Sequence, residues 1–393
     1  MYSVVFELFY LGFGPRPQHH DPVRFALLTT TFYPILGGAE RQLDLLARGL
    51  VARGHEATVL APVVKGRDNH VDAPYAVHRF PRLRSKRFGL RWHARFLERL
   101  HRERPFDVAH AHGAYPAAYM AAPFARRHGI PLIVRAHGGD VLPGEAIQRS
   151  AWLRRRTRIA LREADILVAQ NEELGRLLGQ LSGHPERVRR IPNGVEVPDF
   201  DPGACAEPGR PFAFTLSNLY SKKGLDVLIE AWALVAAARP GALLVIAGHG
   251  PEEAALRALS QRLGLAGAVS LMGNARGAEK DRLLATCRVY VSSARREPFS
   301  NALLEAIAAG CPVVATRTGG NTEIVGASGA GALVDPESPH ALADALMRAM
   351  GAPRPPLSKE ERARRVGRFT VEAMVDTYLA AAEDALHARR KLA

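Results

Sequence analysis

The feature that most restricts what this chain can fold into is an alternation of apolar runs of strand length with stretches of helical periodicity, carried through most of the sequence. Residues 24–31 read as a buried strand. A loop with Gly37 and Gly38 then leads into an amphipathic helix at about 39–53, and a second strand follows at 55–61. Two strands joined through a helix make a βαβ unit, the element of parallel sheet. Further strands are expected at 108–111, 131–136, 166–169 and 188–191. Periodicity stops at 198–211, where Pro, Gly and Asp cluster, and a second series has strands at 212–217, 242–247, 289–292 and 312–316. The pattern predicts an α/β protein of two Rossmann-like, doubly wound domains facing a central cleft, and 393 residues suit two cores better than one. The expected division is a poorly ordered extension at 1–23, a first domain at 24–197, a linker at 198–211, a second domain at 212–370, and a C-terminal helix at 371–393.

Composition narrows the function classes. Cys205, Cys287 and Cys311 are widely spaced, with no CxxC pair and no His cluster at ligand spacing, which points to a reducing compartment and to no bound metal. Residues 1–14 are apolar but broken by Glu7 and too short to span a bilayer, and no later apolar run reaches 18 residues. A cytoplasmic protein is expected, free or peripheral to the inner face of a membrane. The net charge of +14 either calls for anionic partners or reflects arginine used for solubility. No recognition module for nucleic acid accompanies it, so nucleic acid is not an expected partner.

Doubly wound sheets hold ligands where strands end and helices begin. Four loops of that kind carry suitable residues. In the segment from Glu297 to Glu305, Ser300 reads as an N-cap that leaves the amides of Asn301, Ala302 and Leu303 at a positive helix end suited to phosphate. Glu305 shares a helix face with Asn301, and Glu297 sits on the preceding loop. These carboxylates either accept hydrogen bonds from sugar hydroxyls or are merely capping and solvent-facing acids. In the loop 217–224, Lys222 and Lys223 stand at a helix start, where a cation is unfavourable unless an anion offsets it; they are diphosphate ligands or solvated lysines. The pair Gly37-Gly38 lets backbone approach a ligand or makes an empty turn. The fourth loop is Arg135-Ala-His-Gly-Gly-Asp140.

Glu297, seven residues, Glu305, followed by Ala-Ile-Ala-Ala-Gly-Cys-Pro-Val-Val-Ala and Gly319-Gly320, resembles the donor motif of family four retaining glycosyltransferases (glycosyl transferases group 1), which have the GT-B fold. The resemblance implies that Glu297 approaches the donor sugar, that Glu305 binds the ribose hydroxyls, and that the backbone of Phe299, Ser300, Asn301, Ala302 and Leu303 holds phosphate and sugar. The loop 217–224 resembles the family's Gly-Arg loop ending in Lys-Gly, with Lys223 matching the lysine that grips the diphosphate and Asn218 standing where arginine is usual. Asparagine brings no charge, so Lys222, Arg295 or Arg296 is a candidate to complete the clamp. Gly37 and Gly38 are similar to the family's N-terminal glycine loop, and His137 to the His-Gly-x-Asp histidine that faces the transferred sugar. Gly248-His-Gly250-Pro251 and Leu271-Met-Gly-Asn274 match as well, placing Gly250 and Asn274 at the donor, and the resemblance implies that the C-terminal helix at 371–393 crosses back to the first domain. Ile191-Pro-Asn-Gly-Val195 reads as a structural turn, and Asp199-Phe-Asp201 as a solvated turn rather than a metal pair.

The implied reaction moves a sugar from a nucleotide diphospho-sugar to a hydroxyl of a glycan, lipid-linked or small-molecule acceptor, as in cell-envelope polysaccharide synthesis. Configuration is retained, and neither a metal nor a further cofactor is needed; Glu297, Lys223 and His137 are the expected catalytic residues. The rivals are a nucleotide-sugar epimerase or phosphorylase on the same fold and a non-catalytic donor-binding partner of an active transferase. Between Arg79 and Arg104, finally, Phe88, Trp92, Phe96 and Leu100 recur every four residues beside Arg91, Arg95, Arg99 and Arg102. That pattern fits an interfacial helix on anionic lipid or a domain helix with its aromatic side in the core.

Overall fold

A computed structural model describes residues 21–35, 37–81, 86–200, 210–354 and 356–391, the helical stretch 86–94 by its backbone alone. Its strands form two sheets, parallel throughout. The first comprises β1 (Arg24–Thr29), β2 (Glu56–Pro62), β3 (Ala76–Phe80), β4 (Val108–His112), β5 (Leu132–Arg135), β6 (Ile166–Ala169) and β7 (Val188–Arg190), in the order β3-β2-β1-β4-β5-β6-β7. The second comprises β8 (Phe212–Leu216), β9 (Leu243–Ala247), β10 (Val269–Gly273), β11 (Val289–Ser292), β12 (Val313–Thr316) and β13 (Gly331–Val334), in the order β10-β9-β8-β11-β12-β13. Strands β3, β10 and β13 have no counterpart among the expected ones. All three are sheet edges, covered on one side only, and they admit His78, Arg79, Ser270 and Gly331 into what would otherwise be apolar runs.

Helices around the first sheet are α1 (Gly38–Ala52), α2 (Lys86–Glu103), α3 (Tyr119–His128), α4 (Ala146–Arg149), α5 (Ala151–Glu163) and α6 (Glu172–Ser182). Around the second are α7 (Leu225–Ala238), α8 (Glu253–Arg262), α9 (Gly277–Thr286), α10 (Asn301–Ala308), α11 (Gly319–Ser328), α12 (Pro339–Gly351) and α13 (Lys359–Val366). The last helix, α14 (Val371–Arg390), returns to the first sheet, where Met374, Val375, Tyr378 and Leu379 share a core with Leu43, Leu46 and Leu50 of α1. The two helices meet at Gly49, where a Cβ would come within 2.3 Å of Val375 Cγ2. The chain thus passes between its halves twice, and the passages touch: the Val195 amide donates to the Phe369 carbonyl at 2.8 Å, and the Val371 amide to the Val195 carbonyl at 3.2 Å.

Buried Arg362 holds the start of the linker, donating to the carbonyls of Pro198 at 3.0 Å and Phe200 at 2.8 Å. Linker positions 201–209, including Cys205 and Asp201, lie outside the described residues, as do positions 1–20 of the expected extension. Asp199 is exposed and pairs with Lys359 at 3.1 Å.

The basic segment divides between the two readings offered for it. Arg79 is spent inside the fold, donating to the carbonyls of Tyr33, Pro62 and Asn69. Leu97 and Leu100 are buried in the core, and Phe96 packs against that core with its ring edge-on to His78. The described part of α2 therefore buries the apolar side that an interfacial helix would give to lipid, while Arg95, Arg99 and Arg102 face solvent. The side chains of Phe88, Arg91 and Trp92 lie outside the described residues. Among the described residues no helix is long and apolar enough to cross a membrane.

Candidate active site

Each sheet reverses its strand order once, between β1 and β4 and between β8 and β11, and ligands of doubly wound folds bind outside the strand ends at such points. Here the two crevices form one cleft of about 930 Å³. The first half contributes Gly37, Gly38 and His137 to its wall; the second contributes Asn218, Lys222, Lys223, Asn274, Glu297 and the run Phe299, Ser300, Asn301, Ala302. Three expected site residues, Leu303, Glu305 and Gly250, are not on that wall.

Each has a physical reason. The Leu303 amide donates to Ser300 Oγ at 3.2 Å, so the cap consumes it; Asn301 and Ala302, the first two helical positions, have no carbonyl one turn back to meet their N–H groups. Glu305 lies one turn into α10 and is held by Lys280 of α9 at 2.8 Å and Arg41 of α1 at 3.5 Å. Gly250 lies behind the 217–224 loop, where a Cβ would stand 2.3 Å from the Leu219 carbonyl oxygen. It supports that loop rather than facing the cleft.

The two lysines are not on α7 itself. They occupy a short 3-10 turn, Ser221–Lys223, closed by Gly224 at φ +60°, where a Cβ would meet the Ser293 carbonyl oxygen at 2.2 Å. The turn aims Lys223 Nζ at Glu297, with which it forms an ion pair whose side chains are 21% and 11% exposed. Lys222 pairs with Glu145 of the first half at 3.1 Å. Arg295, a candidate for completing the clamp beside Asn218, is consumed by Asp226 through two contacts of 2.7 Å and by Glu337. Arg296 lines the cleft and donates to the Pro143 carbonyl at 2.9 Å. Arg276, absent from the sequence reading, also lines it.

His137, half-buried on the cleft wall, adjoins buried His110 and His112; the rings of His112 and His137 lie 4.1 Å apart. The Ala39 carbonyl can only accept, so His112 bonds to it through Nε2–H at 2.8 Å, which leaves its Nδ1 to accept from His110 Nε2 at 3.4 Å. Burial first, then the Arg135 guanidinium, pushes His137 down to about 3; His110 is likewise lowered to about 3, and burial drives His112 well below its ordinary value. All three are therefore neutral at pH 7. His137 Nε2 is buried beside the cleft with no protein partner among the described residues. Asp140 holds the His137 loop in place, accepting from the amides of His137 at 3.0 Å and Ala114 at 2.6 Å.

The cluster makes stability depend on pH. Unfolded histidines titrate near 6.5, so below that value the unfolded chain binds protons that the folded cluster refuses, and stability is lost as pH falls from 6.5 toward 3. Each histidine contributes about 1.4 kcal/mol per pH unit across that window. Urea unfolding should give a stability roughly 4 kcal/mol lower at pH 5.5 than at pH 7.5; equal values would contradict a neutral buried cluster. Asp140, whose carboxyl is raised by burial, acts in the opposite sense nearer the carboxylate range.

Asn193 is the residue that sequence reasoning assigned to a mere turn. It lines the cleft, accepts from buried Arg135 and donates to Asn301 Oδ1 at the start of α10, while Arg135 also donates to Tyr378 of α14 at 2.6 Å. Asn301 Nδ2 in turn donates to the Gly38 carbonyl at 3.2 Å. A hydrogen-bonded chain from α14 through β5 to the glycine loop thus grips the end of α10 across the cleft. The available signal was position: the Pro-Asn-Gly turn follows the carboxyl end of β7, the same edge from which the four candidate loops were chosen.

The chain as a whole is similar to known proteins. Residues 36–198 match the model of Glycosyltransferase Family 4, and residues 202–368 that of the glycosyl transferases group 1. The chain is 30% identical over 356 residues to the GDP-mannose-dependent alpha-(1-6)-phosphatidylinositol monomannoside mannosyltransferase of Mycolicibacterium smegmatis, covering 84% of this chain and 89% of that one. The chain belongs to the family four, group 1 glycosyltransferases. This glycosyltransferase is also 29% identical over 347 residues to a GDP-mannose-dependent alpha-mannosyltransferase of Mycobacterium tuberculosis, covering 82% of this chain and 87% of the relative. Its fold is GT-B. Sucrose-phosphate synthase of Thermosynechococcus elongatus superposes with a TM-score of 0.73 at 20% identity, over 94% of this chain and 99% of that one. Anabaena Alr3699/HepE in complex with UDP and glucose does so with a TM-score of 0.67 at 21% identity, over 92% and 99%.

Proposed function

We propose that this glycosyltransferase moves a sugar from a nucleotide diphospho-sugar to an acceptor hydroxyl with retention of configuration and without a metal. The observation that carries the reading is the meeting, on one cleft wall, of Lys223 with the two open amides at the positive end of α10. Together they present charge and N–H donors where a diphosphate would lie. The M. smegmatis relative is named for GDP-mannose and the Anabaena protein was crystallised with UDP, which supports a donor of this class.

In the proposed step the bond from the anomeric carbon to the diphosphate oxygen breaks, and the bond to the acceptor oxygen forms on the same face. The acceptor proton passes to the departing diphosphate, so no carboxylate base is required. Lys223 and the α10 amides offset the charge that develops. Glu297 leaves Lys223 to accept from sugar hydroxyls, and His137 Nε2 meets a further hydroxyl. The second half holds the donor and the first the acceptor. A metal chelator should leave the rate unchanged.

The Lys223–Glu297 pair makes a distinct prediction. Glu297 competes with phosphate for Lys223, so Glu297→Gln should bind a nucleoside diphosphate about tenfold more tightly, a change of about 1.4 kcal/mol, while transferring sugar more slowly. Calorimetric titration with GDP and UDP checks the first effect; weakened binding would remove Lys223 from the diphosphate site. The donor itself is found by thermal shift against UDP-, GDP- and ADP-sugars. Products formed with and without an added acceptor then separate a transferase from an epimerase or a binding partner.

A further inference from the structure

Outside the cleft, the outer face of α5 joins a strong basic charge to exposed apolar side chains. Residues 151–162 read Ala-Trp-Leu-Arg-Arg-Arg-Thr-Arg-Ile-Ala-Leu-Arg, with five arginines and no acid. Ala160 and Leu161 enter the core below the helix and Thr157 is buried. What remains outside is one face: Trp152, Arg155, Ile159 and Arg162 fall at i, i+3, i+7 and i+10, with Arg154 and Arg158 alongside, all exposed. Trp152 is 45% and Ile159 37% exposed, so two of the large exposed apolar side chains of the described structure share this face. Among the described residues none of Arg154, Arg155, Arg158 and Arg162 meets a carboxylate at ion-pair distance; Glu163, at the end of the helix, is taken by Arg126 at 2.9 Å. Trp152 is held in place, since the Arg156 guanidinium lies 3.4 Å from its ring centroid and 5.0 Å from that of Tyr119.

We infer that this face docks on an anionic lipid leaflet. Unpaired arginines supply long-range attraction to acidic headgroups, and an indole and an isoleucine between them supply what enters the headgroup boundary. A partner recognised through phosphates alone, such as nucleic acid, would not need those two apolar groups. The placement also serves the cleft. The loop between β5 and α5 carries His137, Leu142 and Glu145 on the cleft wall, so α5 sets out from the cleft edge of the sheet. An enzyme docked this way has its cleft mouth close to the lipid surface, where a lipid-linked acceptor is presented. This face differs from α2, whose described apolar side chains turn into the core.

The experiment is co-sedimentation of the full chain with vesicles of phosphatidylcholine alone and of phosphatidylcholine containing 30 mol% phosphatidylglycerol (roughly the anionic content at which such attraction is strong), at low and high salt. Binding to the anionic vesicles only, weakened by salt, is expected. Arg155→Ala/Arg158→Ala should lower the partition about thirtyfold and Trp152→Ala about tenfold, with unchanged melting temperatures because none of the three side chains is in the core. A blue shift of tryptophan emission on binding, lost in Trp152→Phe, should accompany it. Failure to bind anionic vesicles, equal binding to neutral ones, or binding untouched by both α5 variants overturns the inference, whichever other basic helix then holds the vesicle. Retention by a nucleic-acid column without vesicle binding overturns it in favour of the other partner. The donor-site reading is tested separately, because a chain that docks but transfers nothing sinks that reading and leaves this one.

Discussion

Lys223→Ala should lower the rate of sugar transfer by about 10²–10³-fold, the usual cost of removing a preorganised donor from a site of developing charge. Lys223 is fixed before any ligand arrives: Gly224 closes its turn against the Ser293 carbonyl, and Glu297 holds its ammonium. Beyond Arg276 and Arg296, which also line the cleft, few cations stand ready to replace it. Asn218 is neutral, Arg295 is occupied by Asp226 and Glu337, and Lys222 is paired with Glu145. The variant should keep its melting temperature, since the lysine is on the cleft wall and not in a core. Transfer within a few-fold of the parent would remove Lys223 from the reaction. Glu297→Ala should also abolish most transfer, through lost contact with the sugar.

Gly248→Ala should be among the most destabilising single methyls in the second half. Gly248 has φ +144°, a conformation L side chains rarely adopt, and an added Cβ would lie 1.8 Å from the Ser217 carbonyl oxygen. Backbone cannot swing aside as a side chain can. A loss of about 3–5 kcal/mol is expected, together with loss of nucleotide binding, because the loop that must move carries Asn218 and Lys223. Gly264→Ala is the control: its φ is +68° with nothing within 4 Å of the added atom, so it should cost only about 1 kcal/mol. Urea unfolding of both variants checks the contrast, and similar costs would mean that the loop yields freely.

Much of the fold is legible because parallel strands buried on both faces write themselves as apolar runs, as 166–169 and 289–292 do to the residue. The end of α10 is equally plain: Ser300 caps it and Gly310 follows at φ +76°. The edge strands β3, β10 and β13 escape because half their surroundings are solvent, although β7, also an edge, is read at 188–191. The donor motif is legible as a family resemblance, whereas the geometry behind it is not. Spacing puts Asn301 and Glu305 on one helix face, but it cannot show that Glu305 is held by Lys280 and Arg41 from opposite sides of the cleft. Nor can it show that Asn193, more than a hundred residues from Asn301, bonds to it. The face of α5 is written in the sequence as plainly as that of α2. Only burial separates the helix whose apolar residues turn inward from the one that leaves Trp152 and Ile159 outside.

The most direct test of the proposed donor site is a crystal structure of the protein with its nucleoside diphosphate bound. Phosphate oxygens within hydrogen-bond distance of Lys223 Nζ and of the Asn301 and Ala302 amides, with Glu297 released from Lys223, is the predicted result. A diphosphate bound elsewhere, or one bound while Lys223 remains on Glu297, would contradict it.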